Sequence, residues 1–492
     1  MEIPDITAEV SFDKGQDEAE HQVKLVCKRV LPGWSDLAVE DVKVSRISGG
    51  ISNLLVKVEP PEPLRPVAVK VFGDKTELLI DREAEKHILL RLNQLGFGAK
   101  VLALFTNGRV EEFLEAHTLT PDQAADPRVV AHIAVRLRKF HSLDMSHAVE
   151  AAAAAAAASG AAASAAAPAA AAAACSTLDP SSPATSQWDN LDAWLDMAQG
   201  LSFPHDGAKQ AAFAAVDFAA LRTELAALRA VCGRVGSPRV FCHNDLLPGN
   251  MLVVRRAKAG VEAGAAPEAR AEAGVAALEA AEAAPGAEAE GEAEPGAKRQ
   301  RLEAASASAS AAAGGAEEGG EGAGAGAGPC VLADGELQFI DFEYSGYGYR
   351  GFDFGNHFNE YAGFDCDYTR FPSPERQKVF FRHYLQPGEL RRLAEERIAA
   401  AAGAVAATAA EDEPAAAAGA LAAAEEAVLD GLVAEACVFA LLSHAYWGVW
   451  SYVQARYSPI DFDYLAYAKM RWAEYHRRKA EFFALVDAAF PQ

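Results

Sequence analysis

The residues best suited to chemistry lie between Phe241 and Asn250, in a segment that reads FCHNDLLPGN. His243 and Asp245 form an H-x-D pair, and Asn250 follows the aspartate by five positions. An aspartate in this setting can orient an attacking hydroxyl and accept its proton, while an amide oxygen one turn later can hold Mg²⁺ on nucleotide phosphates. The spacing therefore predicts phosphoryl transfer, with Asp245 and His243 as catalytic residues and Asn250 as a metal ligand.

A second candidate ligand follows a mostly apolar run later in the chain. Leu337–Ile340 is predicted to be a buried strand, and Asp341 comes directly after it. An aspartate at this point can reach the same Mg²⁺ as Asn250, and a phosphate-bound Mg²⁺ usually takes one or two ligands from protein. Either residue alone would suit a turn or a helix cap. Their order, each beside an apolar run, favours a metal site.

A nucleotide site is predicted upstream. The turn Ser48–Asn53 contains two glycines between predicted strands, so its backbone N–H groups could approach phosphate oxygens without a side-chain clash. Lys70 lies in the predicted strand Val67–Phe72, and Glu85 lies on the helix predicted to follow. A strand lysine paired with a helix glutamate is how kinases hold the α- and β-phosphates of ATP. The candidate contacts are therefore Gly49, Gly50, Lys70 and Glu85.

The elements that must position these residues divide the chain into two parts. Residues 40–115 show strand periodicity and one helical pattern, whereas the later sequence is mostly helical apart from Val240–Val254 and Leu337–Asp353. We therefore predict an α+β fold with two lobes. The N-lobe, residues 1–115, would hold an antiparallel sheet, one helix and the nucleotide, and the C-lobe, residues 116–492, would hold the catalytic residues.

Composition separates the catalytic sequence from three predicted low-complexity insertions near 146–187, 256–330 and 386–428, which are nearly pure Ala, Gly, Glu and Ser. They leave roughly 332 of the 492 residues for the catalytic domain.

The formal charge of −24 argues against a nucleic-acid partner, because nucleic-acid-binding proteins usually present a basic face. The alanine run at 151–174 is too weakly apolar to predict a membrane span. Seven scattered cysteines and an acidic N-terminus without an apolar leader indicate a cytoplasmic protein.

Two long segments resemble signatures of the choline/ethanolamine kinase family, which is built on a protein-kinase-like fold. His243–Asn250 is similar to the family's H-N-D-L-x-x-x-N signature. Ile340–Glu360 is similar to its second signature, I-D-F-E-Y-x-x-Y-x-Y-R-x-F-D-I-G-N-H-F-x-E, with Phe354 in place of an isoleucine. The similarity covers nearly all of the ordinary sequence and none of the three stretches. It continues through Lys70–Arg82, Gly363–Tyr368, Arg382–Leu385 and Ser443–Trp450.

The resemblance implies a protein-kinase-like enzyme that uses ATP and Mg²⁺. Asp245 would be the catalytic base. Asn250 and Asp341 would ligate Mg²⁺, and Glu343 would hold metal-bound water. Lys70 and Glu85 would form the phosphate-binding ion pair, although many relatives have arginine at the lysine position. The remaining matches are Ser52 and Asn53 in the nucleotide loop, and Glu360, Trp447, Trp450 and Tyr467 around the amino-alcohol head group.

The head-group residues also fit the chemistry of an organic cation. Trp447 and Trp450 are three positions apart on a predicted helix and therefore share a face. Two indole faces, the Tyr467 ring and the Glu360 carboxylate would attract a small ammonium ion by cation–π and charge interactions. Aromatic residues at such spacing are otherwise more typical of core packing, so this prediction depends on the motifs beside them.

The identity of the amine follows less directly. Leu246 and Leu247 resemble the ethanolamine kinase version of the motif, whereas Gly363–Tyr368 resembles plant-type choline kinases. We predict that ethanolamine is phosphorylated to phosphoethanolamine, the first step of the CDP-ethanolamine route to phosphatidylethanolamine, with choline or dual activity as the alternative. Another small-molecule phosphotransferase and an inactive scaffold are lower alternatives. The predicted partners are ATP and a small amino alcohol, with no nucleic acid and no integral membrane segment, and a homodimer is left open.

Overall fold

We describe the protein from a computed structural model. The residues described are 3–11, 15–49, 53–73, 75–146, 148, 185–255, 330–333, 335–404, 414–458 and 460–491. Gly50 and Ser52 of the predicted nucleotide loop lie outside them, as do the alanine run at 151–174 and the stretch 256–329.

A six-stranded sheet forms the N-lobe, as the period-2 pattern predicts. Its strands are β1 Asp5–Ile6, β2 Lys43–Gly49, β3 Asn53–Glu59, β4 Val67–Phe72, β5 Val101–Phe105 and β6 Gly108–Glu112. In space they lie in the order β1, β5, β6, β4, β3, β2. All neighbours are antiparallel except β1 and β5, so the predicted antiparallel sheet has one parallel pair at its edge.

The N-lobe sheet has two chemically different faces. Helix α1 (Gln16–Val30), which was not predicted, buries its apolar side in one cluster with Val69 and Val71 of β4. Because side chains alternate along a strand, Lys70 points to the opposite face. That face meets α2 (Arg82–Gln94), whose apolar residues join the core shared with the C-lobe. The alternation therefore places the lysine on the side of the sheet nearest the catalytic loops.

The hairpin between β5 and β6 turns at Thr106 and Asn107, one position before the Asn107-Gly108 pair. Asn107-Gly108 is a strong sequence signal for the turn itself, but Phe105 pairs with Gly108, so Gly108 already belongs to β6. Asn107 instead donates to the Val10 carbonyl at 2.8 Å and accepts from the Val10 N–H at 3.0 Å. Glycine is required at 108 because a Cβ would lie 2.4 Å from the carbonyl oxygen of Lys70.

The C-lobe is mainly helical and contains two small antiparallel sheets. Strands β7 Ala116–Thr118, β9 Met251–Arg255 and β10 Gly335–Phe339 form one sheet, and β8 Arg239–Cys242 pairs with β11 Gly346–Tyr349 in the other. The helices are α3 Pro121–Ala124, α4 Pro127–His141, α5 Ser186–Gln199, α6 Gly207–Ala214, α7 Phe218–Val235, α8 Arg350–Asn359, α9 Pro374–Tyr384, α10 Glu389–Ala404, α11 Pro414–Tyr457 and α12 Tyr464–Ala489. This arrangement confirms the predicted α+β architecture with a mostly helical C-lobe.

The long helix α11 is the centre of the C-lobe core. Helix α8 packs so closely against it that a Cβ at Gly355 would lie 2.3 Å from the backbone nitrogen of Ala440. Part of the predicted insertion at 386–428 is helical, since it contains α10 and the start of α11. The segment Ala417–Tyr457 is long and apolar enough to cross a membrane, but 78% of its most apolar window is buried inside the protein, as in the core helix of a globular domain.

Candidate active site

The loop after β8 carries the H-x-D pair and has an uncommon backbone conformation. Asn244 has a φ of 66°, in the left-handed region that asparagine tolerates better than most residues. Its amide nitrogen donates to Ser186 Oγ at 2.9 Å and to the Tyr344 carbonyl at 2.8 Å, and its amide oxygen accepts from Gln187 at 2.7 Å. These hydrogen bonds stabilise the left-handed conformation of Asn244 and therefore fix the position of Asp245, the next residue.

A buried carboxylate on α8 holds the same loop from behind. Asp353 accepts from the backbone N–H groups of His243 and Asn244, both at 2.7 Å, and is hydrogen-bonded to His141 Nε2 at 2.9 Å. His141, Cys242 and Asp353 carry ligand atoms within 4.8 Å of one another. Because both oxygens of Asp353 already make hydrogen bonds, this group supports the catalytic loop rather than a metal.

His243 is placed to position the loop, not to exchange a proton with substrate. It is fully buried, its Nε2 is hydrogen-bonded to the Ile340 carbonyl at 3.0 Å, and its Nδ1 accepts from the backbone N–H of Asp245 at 3.3 Å. Burial lowers its pKa and favours the neutral ring. Both ring nitrogens are therefore committed to backbone groups, which corrects the predicted catalytic role for this residue.

Asp245 and Asn250 lie side by side, as their spacing predicts. The amide nitrogen of Asn250 donates to the Asp245 carbonyl at 2.8 Å and to Asp245 Oδ2 at 2.9 Å, which leaves the amide oxygen as the candidate ligand atom. Burial raises the pKa of Asp245 well above its ordinary range, and the charges of Asp341, Glu360 and Glu343 raise it further. A raised pKa suits a base that must keep a proton taken from an alcohol.

The two carboxylates after β10 meet Lys70. Asp341 has a φ of 64°, and Lys70 Nζ donates to its Oδ1 at 2.6 Å and to Glu343 Oε2 at 3.5 Å. Burial would raise the pKa of Asp341, but the charge and hydrogen bond of Lys70, together with the charge of Arg109, outweigh burial and lower this pKa. Burial and the Asp341 charge raise the pKa of Glu343. Together with the Asn250 amide, these are hard oxygen donors of the kind Mg²⁺ binds.

The predicted direct contact between Lys70 and Glu85 is wrong. Glu85 is buried on α2 and accepts from Arg109 and from Arg82, each at 2.6 Å. Burial alone would raise the pKa of Glu85, but the two guanidinium groups lower it to about 2. Arg109 lies directly opposite Lys70 in the pairing of β4 with β6, so both cations occupy one face of the sheet. Arg109, rather than Lys70, therefore forms the ion pair with Glu85.

Arg82 connects this cluster to the start of β3. It donates to Glu343 Oε2 at 3.3 Å and to Asn53 Oδ1 at 3.0 Å, and its guanidinium lies 4.2 Å from the centre of the Phe72 ring. Asn53 in turn donates to Glu343 Oε2 at 2.8 Å. Gly49, at the other end of the predicted nucleotide loop, pairs with Leu54 across β2 and β3. The described ends of the loop therefore lie beside the charged cluster.

The two tryptophans of α11 share a face, as their spacing predicts. Their ring centroids are 5.4 Å apart with an interplanar angle of 83°. Trp447 Nε1 donates to Asn356 Oδ1 at 2.8 Å, and Trp450 Nε1 donates to the Tyr344 hydroxyl at 3.0 Å. The Tyr344 ring lies 5.3 Å from that of Trp447. Both indoles have their polar edges satisfied, so their positions are fixed by hydrogen bonds as well as by packing.

Glu360 and Tyr467 are joined by a buried arginine. Arg471 Nη1 donates to Glu360 Oε1 at 3.0 Å and to the Tyr467 hydroxyl at 3.2 Å. The Glu360 charge also contributes to the raised pKa of Asp245, so the two carboxyl groups interact electrostatically. The Glu360 carboxylate and the Tyr467 ring therefore lie around Arg471, and groups of this kind can attract an ammonium ion.

A sequence model of the choline/ethanolamine kinase family matches residues 44–476. The chain belongs to this family. A probable ethanolamine kinase of Arabidopsis thaliana is 30% identical over 468 residues, which cover 94% of this kinase and 86% of that protein. Ethanolamine kinase 1 of Homo sapiens is 24% identical over 491 residues, which cover 98% of this kinase and 77% of the human protein.

Solved structures confirm the fold of this kinase. A Plasmodium vivax ethanolamine kinase aligns with a TM-score of 0.60 and 21% identity, covering 96% of this chain and 92% of that one. A choline kinase from Cryptosporidium parvum aligns with a TM-score of 0.52 and 16% identity, covering 95% and 97%. The protein-kinase-like fold implied by the sequence signatures is thereby confirmed.

Five side chains shape the site of this kinase without having been predicted from the sequence: Arg82, Arg109, Tyr344, Asp353 and Arg471. Some carried a usable signal. Tyr344 and Asp353 lie inside the second signature, and Arg471 follows Tyr467 by one helical turn. A charged residue between two apolar ones, as Asp353 lies between Phe352 and Phe354, indicates a buried hydrogen-bond network, because an unpaired buried charge is costly.

Proposed function

We propose that this kinase phosphorylates the hydroxyl of ethanolamine with ATP. The observation that carries the proposal is the hydrogen bond of 2.9 Å between Asn250 and Asp245, which joins a candidate metal ligand to the proposed base, and the Glu360 charge acts on the same carboxyl group. Ethanolamine has a hydroxyl and a primary ammonium separated by a two-carbon chain, so it needs a base and a carboxylate close together. A primary ammonium has three N–H donors and favours such acceptors. The names of the Arabidopsis and human relatives support the same substrate.

In the proposed reaction Asp245 orients the substrate hydroxyl and takes its proton as the oxygen attacks the γ-phosphorus. Lys70 supplies positive charge to the phosphates of ATP. Asn250 and Asp341 would hold Mg²⁺, and Glu343 would act through metal-bound water. When bound, Mg²⁺ would neutralise charge on the transferring phosphoryl group. The products are phosphoethanolamine and ADP.

Choline is the second candidate acceptor. The faces of Trp447 and Trp450 suit a quaternary ammonium, which has no N–H donor and binds through cation–π attraction. Measurement of ADP release with ethanolamine, with choline and without acceptor distinguishes these alternatives, each with Mg²⁺ and with EDTA. We expect Mg²⁺-dependent release that requires an amine, with the higher kcat/KM for ethanolamine. Release that is independent of any amine would contradict the proposal.

The metal-binding role of Asp341 has a direct test. Asp341→Ala should lower kcat by about a thousandfold, because it removes a metal ligand and the partner of Lys70. Circular dichroism and the melting temperature should show a folded protein. Asp430→Ala is the matched control, because Asp430 pairs with Lys378 away from the site and its loss should leave kcat unchanged. Near wild-type turnover in Asp341→Ala would contradict the assignment.

We also propose a cytoplasmic location, which the unpaired thiols of the described cysteines support. These are Cys27, Cys232, Cys242, Cys330, Cys366 and Cys437. A homodimer stays a prediction, and light scattering on the purified full-length chain would test it.

A further inference from the structure

We infer that Arg471 is a positioning residue that sets the preference of this kinase for a primary over a quaternary ammonium, an inference that rests on the proposed function. It acts through Glu360, to which it is joined by a hydrogen-bonded ion pair of 3.0 Å. The arginine side chain is 2% exposed and the glutamate side chain 13% exposed, so the pair is largely removed from solvent.

Three helical segments each contribute two residues of the network, one turn apart. Arg471 Nη2 donates to Ser443 Oγ at 2.9 Å, and Ser443 Oγ donates to Asn356 Oδ1 at 2.8 Å. Asn356 Oδ1 is the atom that also accepts from Trp447 Nε1. The spacing between partners is four positions in each case: Asn356 with Glu360, Ser443 with Trp447, and Tyr467 with Arg471. One guanidinium thus links the carboxylate, the phenol and the indole of the head-group pocket.

The ion pair uses only one of the two carboxylate oxygens. Arg471 bonds Glu360 Oε1, which leaves Oε2 for a substrate N–H donor. A primary ammonium makes directional hydrogen bonds and therefore depends on where that oxygen lies. A trimethylammonium group has no N–H and responds to ring faces and to diffuse charge, so it depends less on the carboxylate rotamer. Loss of Arg471 should therefore weaken ethanolamine binding more than choline binding.

The principal test is Arg471→Met, assayed with both amines on the full-length chain. We expect KM for ethanolamine to rise at least about tenfold, KM for choline to change less than about threefold, and kcat and KM for ATP to stay within about threefold. Arg471→Lys keeps the charge but not the two-armed geometry and should give an intermediate loss. Arg477→Met is the matched control, because Arg477 lies on the same helix, is 56% exposed and pairs with Glu474.

A double-variant cycle separates positioning from general damage. If Arg471 acts through Glu360, Arg471→Met should add little to the ethanolamine KM defect of Glu360→Gln. The inference would be overturned if the two substitutions multiplied each other's effects on the ethanolamine KM, if both amines lost affinity equally, or if the ethanolamine KM were unchanged.

Should Arg471→Met fail to fold, Ser443→Ala is the second variant. It removes one of the two groups, Ser443 and Tyr467, that hold Arg471 besides Glu360, and it leaves no buried charge unpaired. It should raise the ethanolamine KM about threefold while the choline KM is unchanged. If the wild-type chain phosphorylates neither amine, the proposed function is overturned as well. If the wild-type chain is active but Arg471→Met leaves the ratio of the ethanolamine and choline KM values unchanged, this inference alone is overturned.

Discussion

The two ends of the active site hold charge in different ways. At the nucleotide end, three cations and four carboxylates are interleaved within hydrogen-bond distance: Lys70, Arg82, Arg109, Glu85, Glu111, Asp341 and Glu343. At the proposed amino-alcohol end, one ion pair of the described residues, Arg471 with Glu360, is largely removed from solvent and lies among aromatic rings whose polar edges are hydrogen-bonded. The first region is a charged network and the second is an aromatic pocket with one compensated carboxylate.

The difference follows from the ligands that each end is proposed to bind. Triphosphate is highly charged, so the nucleotide end needs cations that are already positioned before ATP binds. Ion pairs with the carboxylates hold these cations in position. An amino alcohol carries one positive charge, so its pocket needs a modest negative potential and large ring faces rather than many ions. Substitutions at the nucleotide end should therefore change ATP kinetics and stability together, and those in the pocket should change the amine KM.

Among the substitutions that compare the two ends, the largest effect should come from Lys70→Met. This change removes the ammonium proposed to contact phosphate and leaves Asp341 and Glu343 without their closest shared cation. We expect kcat/KM for ATP to fall about a hundredfold to a thousandfold, while KM for ethanolamine changes less than about threefold. Steady-state ADP release at varied ATP and varied amine measures both. Lys86→Met is the control, since Lys86 pairs with Asp5 outside the site.

An equal rise in both Michaelis constants after Lys70→Met would contradict the separation of the two ends. It would indicate that the lysine organises the whole site rather than the nucleotide alone.

The next largest effect should be on stability, through Arg109→Met. Glu85 would keep only Arg82, and breaking a buried pair from one side costs about 3–5 kcal/mol. Urea unfolding measures the free energy of unfolding. Arg229→Met breaks the exposed pair with Asp192 and should cost less than about 1 kcal/mol. A loss from Arg109→Met as small as that of the control would show that the buried cluster does not stabilise the N-lobe.

The same pair predicts a pH dependence. The pKa of Glu85 is lowered from 4.5 to about 2, so its contribution to folding is complete above about pH 4.5 and disappears as the pH falls through 2. The difference in unfolding free energy between wild type and Glu85→Gln should therefore shrink on acidification from pH 6 towards pH 2. A difference that stays constant over this range would indicate that Glu85 is not held ionised by the arginines.

The wrong Lys70–Glu85 contact shows where sequence-based prediction reached its limit at this end of the site. The strands and the helix were predictable because the periodicity that indicates them is local. The partner of Glu85 depends on which strands lie side by side, and β4 pairs with β6 across a connection that contains α2 and β5. That pairing brings Arg109 opposite Lys70, and nothing in the local sequence of either strand specifies it.

In the proposed pocket, the predicted shared face of Trp447 and Trp450 is confirmed, because both residues lie on one helix. Trp447 and Trp450 share a face because both lie on α11, and their spacing alone sets that geometry. Arg471 required the packing of α12 against α11, where a Cβ at Gly448 would lie 2.7 Å from Trp472 Nε1. This close approach belongs to tertiary structure. The shared face of the two tryptophans was therefore predictable from the sequence, but the arginine that joins Glu360 to Tyr467 was not.

The smallest effect should come from Trp450→Phe, which probes the aromatic pocket alone. Phenylalanine keeps a ring face but loses the indole N–H that donates to the Tyr344 hydroxyl at 3.0 Å. Since tryptophan is the best cation–π partner, KM should rise about threefold to tenfold for both amines, with KM for ATP unchanged. Trp34→Phe is the control, because Trp34 is buried in the N-lobe cluster with α1 and makes no part of the pocket. An increase for ethanolamine alone would assign Trp450 to the hydrogen-bonding network of Glu360, and the division between a ring surface that serves any ammonium and a carboxylate that selects the primary one would then fail.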